Sequence, residues 1–276
     1  MPRSPRIAVV GSINFDLVAY CERLPRPGET LTAIRSGGGP GGKGANQAVA
    51  AALLGAEVRM IGRVGSDIFG RRVLDALGTY GIDTTGVHVD DGDTGTAQIV
   101  VDARGENQIV VSPGANARVS PGGLDVRDAD AVLSQLEIPD EAVLAAAAQA
   151  RFFCLNAAPA RPVDLEPDLL VVNRLEHEVV GDRGRLVAVT LGAEGAILLE
   201  RGKEVARARS PHVRAVDATA AGDAFTACLA VSLLEGRSRE EALRRACVAG
   251  ALAASRPGAQ PSLPTAGEVD EILHGA

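Results

Sequence analysis

Residues 129–192 read ADAVLSQLEIPDEAVLAAAAQARFFCLNAAPARPVDLEPDLLVVNRLEHEVVGDRGRLVAVTLG. ADAVLSQLE has a strand-like core, and PDEAVLAAAAQA is a helix with Pro at its start. RFFCLNAAP and DLLVVN are strands, RLEHEVVG is a short helix and LVAVTLG is a further strand. The strands are runs of Val, Leu, Ala and Cys rather than alternations of apolar and polar residues. Such strands are buried on both faces, as in a parallel sheet covered by helices. The β–α alternation predicts an α/β fold with a doubly wound, mostly parallel sheet flanked by helices.

Working outward, 196–200 and 203–208 predict a hairpin, GDAFTACLAVSLLE (222–235) a long helix, and REEALRRACVAGALAAS another. Toward the N-terminus, RIAVVG (6–11) reads as the first buried strand. ANQAVAAALLG reads as a helix closed by Gly55, VRMIGRVG as a strand and GRRVLDALGTYG as an amphipathic helix. FDLVAYC (15–21) and ETLTAIRS (29–36) are strand-like stretches around a PRPGE turn, and 94–112 reads as a hairpin through RGEN. These segments are expected to pair into a small sheet standing off the main body. With no linker, low-complexity segment or internal repeat, 1–276 reads as one domain.

Hydrophobic residues make up 46% of the 276, and aromatics 3%. The formal charge of −7 argues against a general nucleic-acid binder, which needs a basic face. It leaves room for a nucleotide, which needs only a local positive site. Cys21, Cys154, Cys228 and Cys247 form no C-x-x-C pair and read as buried thiols of a reducing, cytoplasmic compartment. No apolar run reaches the ~18 residues of a membrane span. MPRSPRIAVVGS lacks the apolar core of a signal peptide. Of 28 basic residues, only Lys43 and Lys203 are lysines. Lys203 lies in a turn-like ERGKE, whereas Lys43 follows a glycine cluster where a compact charge is useful.

That cluster, Gly37 to Lys43, nearly satisfies the phosphate-loop pattern G-x-x-x-x-G-K-[ST]. Gly44 stands where Ser or Thr would hold magnesium, so a Walker-type loop is rejected. Glycines there let backbone approach a small polar ligand, with Lys43 and Asn46 at the start of the next helix. A flexible turn would explain the glycines but not the polar GKGANQ that leads into an apolar helix. The second cluster is Asp217-Ala-Thr-Ala-Ala-Gly222-Asp223. Its plain reading is a helix N-cap. The alternative is an anion hole made by the free N–H groups of Ala221, Gly222 and Asp223, with the Asp223 carboxylate as proton acceptor.

GGKGANQA at 41–48 and AAGDAF at 220–225 resemble the PfkB carbohydrate kinases, and within them the ribokinase branch. GSINFD (11–16), PGE (27–29), PGAN (113–116), QLE (135–137), NAAPAR (156–161), TLGAEG (190–195) and GAQPS (258–262) extend the resemblance over nearly the whole chain. It implies an ATP-dependent sugar kinase of ribokinase-like fold, with the small sheet (segments near 13–36 and 94–112) as a β lid that also pairs subunits into a homodimer. It implies a sugar site of Asn14, Asp16, Gly42, Lys43, Asn46 and Glu137, with Asp223 as catalytic base and Ala220, Ala221 and Gly222 as anion hole. Asn173 and Glu176 match the N-x-x-E associated with magnesium and phosphate, although Asn followed by Glu at the third helical position is also a capping box. Thr190, Gly192 and Gly195 match the ATP loop.

Asp217 and Ser262 match side-chain ligands of K+, and Thr219, Ala253, Arg256 and Gly258 match backbone carbonyl ligands. Oxygen-only ligation suits a hard cation. Two departures stand out. Only 13 residues separate Glu176 from Thr190, a stretch trimmed close to the minimum parallel crossover. Cys247 also replaces a histidine near the nucleotide. The expected reaction is phosphorylation of D-ribose at O5 by ATP with Mg2+. The alternatives are a kinase of deoxyribose, another sugar or a nucleoside, or a sugar-binding or regulatory protein that keeps the fold but has lost catalysis. The lack of G-x-G-x-x-G after the first strand argues against a nicotinamide oxidoreductase.

Overall fold

The computed structural model describes residues 3–275; Met1, Pro2 and Ala276 of the expected 1–276 domain lie outside the described residues. The chain runs through β1 (Arg6–Val10), β2 (Asn14–Tyr20), β3 (Arg35–Gly41), α1 (Lys43–Leu53), β4 (Glu57–Gly65), α2 (Ile68–Thr79), β5 (Asp83–Asp90), β6 (Gly95–Val101) and β7 (Asn107–Ser112). It continues with β8 (Ala131–Gln135), α3 (Asp140–Gln149), β9 (Phe153–Asn156), β10 (Leu169–Asn173), α4 (Arg174–Val180) and β11 (Leu186–Thr190). It closes with β12 (Ala196–Glu200), β13 (Lys203–Ala208), α5 (Ala221–Leu234), α6 (Arg239–Ala254) and α7 (Ala266–His274).

Nine strands form one sheet in the order β13-β12-β11-β10-β9-β8-β1-β4-β5. All neighbours are parallel except β11–β12 and β12–β13, the hairpin at the edge. Successive side chains of a strand point to opposite faces, and both faces here are covered. Ile7 and Val9 of β1 enter a core shared with α1, α2, α5, α6 and α7, while Ala8 and Val10 enter a second core with α3. The same split divides Leu169 and Val171 from Leu170 and Val172 in β10. This is why the strands of 129–192 are apolar throughout, and the fold is the expected doubly wound α/β arrangement. From β1 the chain first moves out to β4 and β5, then returns to β8 on the other side of β1. The strand order reverses between β1 and β8, and the crevice beyond their carboxyl ends is where open α/β sheets place ligands.

Four strands form a second sheet, in the order β3-β2-β6-β7. β2 pairs antiparallel with β3 and parallel with β6, and β6–β7 is a hairpin. One expectation needs correction. Residues 29–34 form no strand, and the strand that pairs with β2 is the glycine run 35–41 itself. Local propensity disfavours glycine in a strand, but the tertiary pairing requires it. A Cβ on Gly41 would overlap the Asp16 carboxylate, and one on Gly38 would lie 2.7 Å from the Asp16 carbonyl oxygen. The sheet-edge strand β5, DTTGVHVD, was likewise not legible, being polar and interrupted by Gly86.

The trimmed crossover takes the form of a single helix. Residues 174–185 carry the chain from β10 to β11, with only α4, seven residues long, between them. Leu175 and Val179 on this helix face solvent, at 73% and 53% exposure. All four cysteines are buried and free. Among the described residues, no helix is long and apolar enough to cross a membrane.

Candidate active site

Where β1 ends, the chain turns through Gly11 and Ser12 into β2, and α1 begins directly above. α1 approaches so closely that a Cβ on Gly44 would lie 2.6 Å from Ser12 backbone atoms. Gly44 is thus glycine because of helix–strand contact, and no hydroxyl could stand there. Glu137, just past β8, ties this corner together. Its Oε2 accepts from Ser12 Oγ at 2.5 Å and from the Lys43 backbone N–H at 3.1 Å, while Ser12 Oγ accepts from Gly44 N–H at 3.2 Å. A carboxylate at the first N–H groups of a helix is favoured by the helix dipole.

Lys43, Asn46 and Gln47 fall at i, i+3 and i+4 and share one face of α1. Across from them, α5 starts from Ala220, whose φ of 61° is left-handed; for a non-glycine residue this costs about 1 kcal/mol. Asp223 stands in the first turn and is 5% exposed. Asn46 Nδ2 donates to its Oδ2 at 3.0 Å and Gln47 Nε2 donates to its Oδ1 at 3.0 Å. The expected trio of free N–H groups is corrected to a pair. Ala221 N–H is used by the Ala218 carbonyl at 3.2 Å in the turn that launches the helix. The N–H groups of Gly222 and Asp223 have no acceptor among the described residues. A Cβ on Gly222 would meet nothing within 4 Å, so no packing demands glycine there and the helix start faces open space.

The groups sense one another electrostatically. Burial pushes the Asp16 carboxyl up to about 6, with the Glu137 and Asp223 charges adding to it. Burial also raises Asp223, against the opposing pull of Lys43 and the two amide donors. Burial disfavours the charged Lys43 ammonium, but Asp223, Glu137 and Glu176 outweigh it and hold its pKa above the ordinary value. Three carboxylates and one ammonium therefore lie close enough to influence one another. Acceptors outnumber donors there, which suits a ligand rich in hydroxyl donors. Asn14 contributes in the other sense. Asn116 Nδ2 donates to Asn14 Oδ1 at 2.7 Å, and Asn14 Nδ2 has no partner among the described residues. Gly42 has a φ of 86°, and a Cβ there would lie 2.7 Å from the Asn14 backbone nitrogen.

Asn173 and Glu176 lie at the carboxyl end of β10 and form the capping box. Glu176 N–H donates to Asn173 Oδ1 at 2.9 Å, and Asn173 N–H to Glu176 Oε2 at 2.8 Å. This leaves Glu176 Oε1 unengaged. Thr190 is the register partner of Asn173 on β11, and Gly192 and Gly195 follow with φ of 62° and 107°. Gly195 must be glycine, since a Cβ would overlap the Ala208 carbonyl. Cys247 is buried, its thiol directed at Ala208 O 3.9 Å away.

Asp217 is gripped by Thr219, whose N–H and hydroxyl donate to Oδ1 at 2.9 and 2.6 Å, and by Gly258 N–H on Oδ2 at 2.9 Å. Burial raises its pKa, but these donors outweigh burial and hold the carboxyl below its usual range. Val216 and Asp217 N–H groups donate to Ala254 O, so the loop before α5 rests on the carboxyl end of α6. Ala253 O accepts from Arg256 N–H at 3.2 Å, and Ser262 Oγ donates to Ala259 O at 2.7 Å. A helix carboxyl end, an ionised Asp217 and a hydroxyl whose lone pairs remain free are a donor set compatible with a hard monovalent cation.

Sequence reading missed Ser12, Gln47, Asn116, Gln135 and Asn156, all buried polar groups in or beside this site. The available signal was a polar side chain where helical spacing demands an apolar one, as at Gln47. A separate cavity of about 180 Å3, lined by Arg6, Glu57, Arg59, Asp83 and Asp128, lies at the opposite, amino ends of β1, β4 and β5. It contains none of the residues above.

A family model for pfkB family carbohydrate kinases matches residues 4–152 and 141–266. The chain is 38% identical to the ribokinase of Bacillus subtilis, over 97% of this chain and 99% of the relative. It is 35% identical to the deoxyribokinase of Salmonella typhimurium, over 97% and 98%. The structure of Arabidopsis thaliana ribokinase complexed with ribose and ATP superposes with a TM-score of 0.87 at 32% identity, covering 98% of this chain and 99% of that one.

Proposed function

Given that this chain belongs to the pfkB family of carbohydrate kinases, we propose that it transfers the γ-phosphoryl group of ATP to O5 of D-ribose, with Asp223 as base. It is an ATP-dependent sugar kinase. The observation that supports the assignment of the base is the pair of 3.0 Å hydrogen bonds from Asn46 and Gln47 to Asp223. They join the amino end of α5 to the polar pocket of α1, so a phosphate at one and a hydroxyl at the other meet in one cleft.

Sugar hydroxyls donate to Asp16 and Glu137 and accept from Lys43 and Asn14 Nδ2. Asp223 receives the O5 proton as the O5–phosphorus bond forms and the bond from phosphorus to the β-phosphate oxygen breaks. The Gly222 and Asp223 N–H groups donate to the oxygens that carry the developing charge. Glu176, Asn173, Thr190, Gly192 and Gly195 lie on the nucleotide side. Glu176, through its Oε1, and Asn173 would hold Mg2+ through the ion's water shell, and the ion would supply neutralisation of phosphate charge. The β3-β2-β6-β7 sheet acts as a lid that excludes water from the transfer. Its exposed Ile109 and Val111 share one side of β7 and offer an apolar surface for pairing two copies.

Asp217, Ser262 and the carbonyls of Thr219, Ala253, Arg256 and Gly258 would hold K+, which stiffens the loop that carries the anion hole. Exchanging K+ for a large organic cation is expected to lower turnover several-fold. Equal rates in the two buffers would remove the cation site from this reading.

The 35% identity to a deoxyribokinase supports 2-deoxyribose as the second substrate candidate. A coupled ADP-release assay with ribose, deoxyribose, other pentoses and nucleosides separates the readings. Ribose is expected to show the highest kcat/KM. A higher value for deoxyribose would reassign the substrate, and no sugar-dependent ADP release at all would overturn the kinase.

A further inference from the structure

Behind Asp223 lies a chain of buried amides whose direction is set from one end. The Val171 carbonyl of β10 can only accept, and Asn156 Nδ2 donates to it at 3.2 Å. Asn156 therefore turns its Oδ1 toward Gln47, whose Nε2 donates to it at 3.1 Å. The same nitrogen donates to Asp223 Oδ1 at 3.0 Å, and Gln47 Oε1 accepts from Gln135 Nε2 at 2.6 Å. Gln47 and Gln135 are fully buried and Asn156 is 7% exposed. A flipped Gln47 amide would set oxygen against the carboxylate, oxygen against Asn156 Oδ1 and nitrogen against Gln135 Nε2. Every contact would then pair like with like.

We propose that Gln47 and Asn156 are positioning residues for the phosphoryl transfer. Through them a backbone carbonyl of the central sheet dictates that an N–H group, and never an oxygen, meets the Asp223 carboxylate. The proposal rests on Asp223 being the base. Asn46 makes the other amide contact and also keeps its own Oδ1 buried without a partner. Gln47, by contrast, has every polar atom engaged within the protein, so its role is directed at Asp223 and not at a ligand.

The charged groups around Asp223 are Lys43 from α1, Glu137 from the segment after β8 and Asp16 from β2. α6 meets the first turns of α5 through Gly250, which carries no charge, and its buried Arg245 is spent on Ser232, Glu235 and Asp270 at the far end. Burial raises the pKa of Asp223, while Lys43, Gln47 and Asn46 oppose it. Losing the Gln47 N–H therefore raises it further.

The readout is the acid limb of the kcat–pH profile, which reports the base in the enzyme–substrate complex. Gln47→Leu is expected to move that limb upward by about one pH unit, the size of a lost charge-assisted hydrogen bond. Gln47→Glu keeps the shape, replaces the donor with a like charge and moves the limb the same way. Asn156→Leu moves it less, because the Gln47 amide still spends part of its time in the productive orientation. The double variant Gln47→Leu with Asn156→Leu titrates like Gln47→Leu alone, since Asn156 acts through Gln47. A parental limb in both Gln47 variants, or additive shifts in the double variant, overturns the relay. If Asp223 were not the base, Asp223→Asn would keep its turnover. If only the relay is wrong, Asp223→Asn is inactive while Gln47→Leu titrates like the parent.

Discussion

Asp223→Asn lowers kcat by at least ~100-fold, the lower range for a positioned acid–base group, while the sugar KM changes far less. The amide fills the same space at the start of α5, so the loss is chemical rather than steric. Its nitrogen cannot accept the O5 proton. In either orientation one of the two donors on α1, Asn46 Nδ2 or Gln47 Nε2, faces an NH2 group in place of an oxygen. The Gly222 and Asp223 N–H groups remain, so some rate above the uncatalysed reaction persists. Steady-state kinetics on purified variant and parent check this, with thermal unfolding to confirm that both are folded. A variant that turns over near the parental rate removes Asp223 from the role of base.

Asp16→Ala has its effect on binding instead. The KM for sugar rises by about 10- to 100-fold, as one hydrogen bond to a charged group is lost and a sugar hydroxyl is left unpaired. kcat changes less, because Asp16 holds hydroxyls that do not react. An unchanged KM would place the sugar elsewhere.

The same carboxyl carries a stability cost. Its folded-state pKa is raised to about 6 from 3.8. Between those values the native protein holds a proton that the unfolded chain has released. The ligand-free protein therefore loses stability as pH rises through this window, and the cost is complete above about 6. Asp16→Asn is expected to unfold at higher temperature than the parent at neutral pH, with the difference vanishing below about pH 4. Asp16, Glu137 and Asp223 are thus held together at the expense of the ligand-free protein, and in the proposed sugar site donating hydroxyls would relieve that repulsion.

Much of the site was legible because its chemistry demands particular residue types close together in the chain. A carboxylate in the first turn of a helix, after Ala-Thr-Ala-Ala-Gly, is readable as a proton acceptor beside free N–H groups. Lys43 and Asn46 are readable as polar residues on an otherwise apolar helix. Other features could be read two ways. Asn173 and Glu176 do form a capping box, and that box still leaves one Glu176 oxygen for the nucleotide side.

Segments 129–192 and 222–255 determined the α/β layering by themselves, since two covered sheet faces force uninterrupted apolar strands and local periodicity encodes the helices. Only the tertiary structure decided that the glycine-rich run 35–41 forms a strand, where Gly38 and Gly41 have no room for a side chain against Asp16. It also decided which amide face meets Asp223. That choice passes from Val171 through Asn156 to Gln47, three residues on separate elements. Hydrogen-bond partners so far apart in the chain are selected by the packing of β10, β9 and α1, which no local pattern of residues specifies.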